Sequence, residues 1–87
     1  MEVTDVKLTL RSNEKLKGFA NITIDNAFVV RGLKIISGSK GLFVSMPSKR
    51  RPNGTFQDVA HPINKETRDM IENKVLEAYN NRVNEKS

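Results

Sequence analysis

"FVVRGLKIISGSKGLFVSMP", residues 28–47, decides the fold. Phe28 and Val30 place apolar side chains at even positions, whereas Leu33 and Ile35 place them at odd ones. Side chains of a strand alternate between its two faces, so a slip of one residue moves the whole apolar set to the wrong side. One extra residue near Arg31-Gly32 restores the phase. The spacing therefore predicts a long strand with a β-bulge at Gly32. "SGSKG", residues 37–41, follows as a tight hairpin loop, and "LFVSM", residues 42–46, returns as an apolar strand. Pro47 has no N–H to give a ladder and closes that strand.

Outward from this centre, the N-terminal side continues in strands. Ala20, Ile22 and Ile24 alternate with Asn21, Thr23 and Asp25, and Val6, Leu8 and Leu10 alternate with Asp5, Lys7 and Thr9. This period of two marks a sheet with one wet face. "RSNEKLKG", residues 11–18, reads as the polar connection between them. On the C-terminal side, Arg51-Pro52-Asn53-Gly54 has proline at the second position and glycine at the fourth of a type I turn. "TFQDVA", residues 55–60, is then able to return as a fifth strand, with Lys49, Arg50 and Arg51 in the hairpin loop between the two. At Asn64 the period changes. Asn64 suits a helix N-cap, and Ile71, Val75, Ala78, Tyr79 and Val83 form an apolar stripe over a helix at about 65–83.

The expected fold class is α+β: an antiparallel β-meander of four to five strands with one C-terminal amphipathic helix. Residues 1–84 are read as one domain and 85–87 as a frayed terminus. One helix covers only part of one sheet face, and both sheet edges stay unpaired. A second copy answers both shortages, so a homodimer is expected.

Composition bounds the function. With 87 residues, a domain hides only about 60–65% of the surface its unfolded chain exposes. There is no cysteine, which removes disulfides and thiolate metal sites. "MEVTDVKL" opens with acids where a secretory signal carries cations, and no apolar run approaches about 18–20 residues. The reading is a cytoplasmic chain with no membrane partner. Its 15 Lys and Arg against 10 Asp and Glu leave a net charge of +5. Residues 62–87 balance five cations with five anions, so the excess lies upstream, densest at Lys49-Arg50-Arg51. A positive excess favours polyanionic partners.

Catalysis finds little support. His61 is the single histidine, and its candidate neighbours are Asp58, Ser45, Ser48 and Thr55. Asp58 lies three positions before it, which on a regular strand puts the two on opposite faces. A buried or capping histidine beside Pro62 is the simpler reading. One histidine with scattered acids forms no metal-ligand cluster, and Gly38-Ser39-Lys40-Gly41 lacks the ending of a phosphate-binding P-loop. No enzyme activity, cofactor or small-molecule substrate is expected. "KGFANITI", residues 17–24, matches the first four positions of the RNP1 strand of RNA-recognition domains. Asn21 and Ile24 then depart from it and no helix precedes it, so the likeness is read as coincidental.

The cationic run remains. Pro47 and Pro52 restrict its backbone, so its cations lose less freedom on binding. Arg50 and Arg51 carry planar forks that grip phosphate or read guanine edges, and Lys49 adds a point charge. Lys65 and Arg68 at the helix start supply two further cations beside backbone N–H groups. Asn53 and Gln57 are candidates for base-edge hydrogen bonds. These residues favour nucleic-acid binding; a protein-interaction module using a sheet edge is the alternative.

"GLFVSMPSKRRPNGTFQDVAHPIN", residues 41–64, resembles the signature block of the SpoVG family, the bacterial stage V sporulation protein G or septation-regulator proteins. "MEVTDVKL" and "ITIDNAFVVRGLKIISG", residues 22–38, resemble it as well, and the likeness covers about residues 1–80. The resemblance implies a small dimeric cytoplasmic protein with a sheet and a C-terminal helix. It implies site-specific DNA binding, RNA binding in some members, gene regulation, and control of septation in spore formers. It implies no catalytic activity. Basic residues of the central block and helix are implicated, here Lys49, Arg50 and Arg51, with Lys65 and Arg68 second. One departure is that many relatives carry a longer acidic tail, whereas this chain stops at "NRVNEKS".

Overall fold

A computed structural model describes residues 1–84. Four strands form an antiparallel sheet in chain order: β1 (Val3–Leu10), β2 (Leu16–Ile24), β3 (Phe28–Gly38) and β4 (Gly41–Ser45). A separate two-stranded ribbon follows, β5 (Ser48–Arg50) with β6 (Phe56–Asp58), and then one helix, α1 (Lys65–Asn84). The α+β meander with a C-terminal helix is the architecture that the sequence predicts. The expected fraying of 85–87 falls outside the described residues.

The bulge forms where the change of phase requires it. Ala20 pairs with Leu33 and Ile22 with Val30, so two steps on β2 meet three on β3. Gly32 takes φ +87°, a left-handed conformation that costs an L-side chain about 1–2 kcal/mol. Its N–H donates to Asn21 Oδ1 at 3.1 Å, so the amide left out of the ladder is satisfied. As a result Val30, Leu33 and Ile35 all turn toward one core with Ala20, Ile22, Val44 and Met46.

Local chemistry sets the turns. Asp25 and Asn26 both have positive φ, and Ala27 N–H donates to Ile24 O at 2.9 Å, closing the β2–β3 hairpin. Aspartate and asparagine tolerate this region better than other side chains. The connection before β2 is shorter than the expected 11–18, because Asn13 Oδ1 accepts the N–H groups of Lys15 and Leu16. That side-chain turn lets pairing resume at Leu16.

The helix starts as predicted. Asn64 Oδ1 accepts the Thr67 N–H at 2.8 Å, an N-cap bond. Ile71 and Val75 are buried against the sheet, with Met70, Leu76 and Tyr79 packed around them. The predicted stripe runs too far: Ala78, beside Val6 and Leu8 of β1, is only half-buried, and Val83 is exposed. The helix packs on both outer strands, β1 and β4. Glu72 Oε2 reaches the outward-facing N–H of Val44 on the edge strand β4, at 3.4 Å.

The fifth strand does not extend the meander. "TFQDVA" contributes Phe56–Asp58 to the ribbon and not to the sheet, since Pro47 interrupts the ladder after β4. Lys49 and Arg50, expected in a hairpin loop, lie in β5 itself.

Gly32→Ala should lower stability by about 1 kcal/mol or more, through strain at positive φ. Asn64→Ala should cost about 1 kcal/mol by loss of the cap. Urea unfolding followed by far-ultraviolet circular dichroism measures both, and a Gly32→Ala midpoint equal to wild type would refute the need for left-handed backbone there.

Candidate nucleic-acid interface

The ribbon carries the three contiguous cations. Ser48, Lys49 and Arg50 pair with Asp58, Gln57 and Phe56 respectively. Side chains alternate along a strand, so Lys49 and Arg50 point to opposite faces of the ribbon. Arg51 Nε donates to Gln57 Oε1 at 3.0 Å, which places Arg51 on the Lys49 face. The run is thus divided: Lys49, Arg51 and Gln57 on one side, Arg50 with Phe56 on the other.

The turn is built as its sequence predicts. Gly54 N–H donates to Arg51 O at 2.9 Å, and Gly54 has φ +88°. Arg51 N–H then donates to Thr55 O at 2.7 Å, the pattern of a type I turn followed by a left-handed residue. Asn53 Oδ1 accepts from the Thr55 N–H at 3.1 Å and from Thr55 Oγ1 at 2.7 Å. At the ribbon's base, Val59 N–H donates to Pro47 O at 2.7 Å.

Every residue from Ser48 to Val59 is exposed. Among the described residues the one ion pair is Lys65 with Asp69, at 2.8 Å on the helix. Lys49, Arg50 and Arg51 thus have no carboxylate partner among the described residues and face solvent. Arg51 is oriented by a neutral amide and not by a carboxylate. The oxygens of Asn53 and Gln57 are engaged within the loop, so the amide NH2 is the group each offers outward.

The helix start is less open. The hydrogen bond and the charge of Asp69 hold the exposed Lys65 ammonium above its ordinary value. The Asn64 cap already occupies the Thr67 amide. Arg68 is exposed and has no ion-pair partner among the described residues. No hydrogen bond or ion pair among the described residues joins Lys65 or Arg68 to the ribbon. His61 is exposed and not buried as expected, because the segment after β6 runs over the surface, and its Nδ1 lies 3.0 Å from Pro62 O. Among the described residues no group of three or more histidines and acids could hold a metal ion, and no helix is long and apolar enough to cross a membrane.

In sequence, the chain is similar to known proteins over nearly its whole length. The SpoVG family model matches residues 1–81. This chain belongs to the SpoVG family. It is 56% identical over 79 residues to a Bdellovibrio bacteriovorus protein named "Putative septation protein SpoVG", covering 91% of this chain and 73% of the relative. Relatives of the same name from Desulforudis audaxviator and Clostridium beijerinckii are 53% and 48% identical, over 94% and 98% of this chain and 94% of each relative. Those SpoVG names carry septation and state no reaction.

Asn53→Ala removes the acceptor that holds both Thr55 donors. The Thr55 amide should then exchange with solvent about fivefold faster, the equivalent of one ordinary hydrogen bond. Native-state hydrogen exchange by NMR reads this directly; an unchanged rate would leave the turn held by its two backbone bonds, Gly54 N–H to Arg51 O and Arg51 N–H to Thr55 O.

Proposed function

We propose that this chain is a non-enzymatic, site-specific nucleic-acid-binding regulator of gene expression, acting in septation and, where the organism forms spores, in sporulation. The observation that carries the reading is the ribbon: three adjacent cations, all exposed and all without a carboxylate partner among the described residues, on a hairpin separate from the main sheet. A charged hairpin kept only for solubility has no need of oriented guanidinium groups. Here Arg51 is aimed by Gln57 and the backbone is set by Pro47, Pro52 and the Asn53 turn. Preorganised cations lose less entropy on binding phosphate.

In this mechanism Lys49 and Arg51 approach phosphates from one ribbon face, and Arg50 reads or clamps from the other. Gln57 and Asn53 turn their NH2 groups to base edges. Lys65 and Arg68 contribute secondarily, since Lys65 is already paired. Both DNA and RNA present the phosphates required. The names of the relatives supply the septation context.

The regulator acts as a homodimer. An apolar groove of about 550 Å³ opens on the core face, lined by Ile22, Ile24, Leu33, Met46 and Ile71. Ile63, which also lines it, is 90% exposed, and on and next to the ribbon Phe56 and Val59 are each 68% exposed. Such apolar surface on so small a chain favours association with a second copy. The rival reading, a module that augments a partner's sheet through an edge strand, loses support on the β4 side, where Glu72 occupies the outward Val44 amide.

If each protomer of a dimer neutralises three phosphates, about six in all, the log–log dependence of affinity on salt has a slope of about −5 for duplex DNA. Lys49→Ala/Arg50→Ala/Arg51→Ala should flatten most of the slope, leaving only the small part owed to Lys65 and Arg68, while circular dichroism stays unchanged. Fluorescence anisotropy across a salt series measures both, and an equal slope in the two proteins would sink the ribbon as the contact. Ile63→Glu should shift sedimentation velocity from dimer toward monomer; a dimer that persists unchanged would place the subunit contact elsewhere.

A further inference from the structure

The face of the sheet opposite the helix has no part in the ribbon mechanism. Alternation assigns its residues. Because Ala20, Ile22, Leu33, Ile35, Val44 and Met46 are buried in the core, Phe19, Asn21, Lys34, Ile36 and Phe43 point the other way. Lys7 stands opposite Asn21, and Thr9, Phe19, Lys34 and Ser45 form one row across all four strands. The helix and the groove-lining segment 60–64 both lie on the core face. The opposite face is left partly or wholly exposed, from Lys7 and Thr9 on β1 to Phe43 on β4.

Its composition is uneven in two ways. It carries Lys7, Arg11, Arg31 and Lys34 against one acid, Asp5, and none of these cations has an ion-pair partner among the described residues. It also carries two aromatic rings where a purely solvated face needs none. Arg11 holds its guanidinium 5.4 Å from the centroid of Phe19. Phe43 lies down over Gly38, where an added Cβ would sit 2.9 Å from Phe43 Cε1, and is still 42% exposed. Two strands and one pair of residues separate the rings, roughly 12 Å from strand spacing and rise.

We infer that this open face is a second site, a stacking platform for unpaired bases of single-stranded nucleic acid. It rests on residues separate from the ribbon and extends the nucleic-acid reading to a different form of the polymer. Rings on a flat sheet offer π-faces to bases that are free to splay out, and the bases of a duplex are already stacked on each other. Lys7, Lys34 and Arg31 surround the rings at positions suited to backbone phosphates, and Arg11 adds a planar cation on which a base also stacks. A second copy of this chain is a poor occupant, since it would bring four like charges against four. "KGFANITI" thus regains a meaning: its phenylalanine faces outward for stacking. Asn21, which departs from the RNA-recognition pattern, is instead the acceptor that holds the bulge.

The test uses the full chain, a labelled oligothymidylate and a labelled duplex, with binding read by fluorescence anisotropy. Phe19→Leu/Phe43→Leu keeps apolar bulk and removes the rings; it should weaken oligothymidylate binding about tenfold and leave duplex affinity unchanged. The same pair in a Lys49→Ala/Arg50→Ala/Arg51→Ala background should weaken oligothymidylate binding by the same factor, showing two separate surfaces. Should the leucine variant fail to fold, Lys7→Ser/Lys34→Ser reads the same face from exposed or half-exposed positions and should weaken the single strand selectively. Ultraviolet cross-linking should map thymidine to peptides containing Phe19 or Phe43. Equal oligothymidylate affinity in wild type and the face variants, or cross-links confined to residues 48–58, overturns the platform and leaves the ribbon reading intact. Duplex binding by the ribbon variant tests the ribbon separately, so the two failures are told apart.

Discussion

The hydrogen bond from Gly32 N–H to Asn21 Oδ1 is the constraint on which the rest of this structure depends. β3 is the longest strand and pairs on both sides, so any error of phase in it propagates to β2 and β4 together. The extra residue at Arg31-Gly32 allows Val30 and Leu33 to share a core although they are an odd number of positions apart. Positive φ at Gly32 makes the bulge affordable, and Asn21 satisfies the amide it displaces. With both faces of the sheet thereby sorted, one receives the helix and the other collects the outward cations and rings.

The ribbon follows a different logic from the sheet. It is held together by backbone pairing, the Arg51–Thr55 turn and the Val59–Pro47 closure, with no buried side chain of its own. A two-stranded hairpin of this kind is marginal by itself in water. Proline at both ends of the cationic run and side-chain bonds from Asn53 and Gln57 compensate by limiting its alternatives. The same devices keep three positive groups close together in spite of their mutual repulsion. Such an arrangement stores electrostatic attraction for a polyanion, which the neutral C-terminal helix does not provide.

Local features were the most legible in the sequence. The bulge was visible as a change of phase, the N-cap as Asn64 before a helical stripe, and the turn as Arg51-Pro52-Asn53-Gly54, because each depends on a few adjacent residues. Features that depend on distant partners were not. Nothing in "TFQDVA" distinguishes a fifth strand of the sheet from a strand of a detached ribbon, since both are extended and both need a partner. The early start of β2 was hidden because Asn13 acts through its side chain, not through hydropathy. The division of Lys49 and Arg50 between two ribbon faces required knowing that Ser48–Arg50 is a strand. Within the candidate site, residue identity was readable and orientation was not.

Glu72 has a consequence beyond its single bond. β4 is only five residues long and forms one border of the sheet. The outward amide of Val44 is claimed by a carboxylate from the helix lying above. A foreign strand arriving there meets an occupied donor and a negative charge in place of a vacant ladder, which discourages open-ended stacking into fibrils. The helix therefore acts as a guard on one border of the sheet as well as a lid on the core.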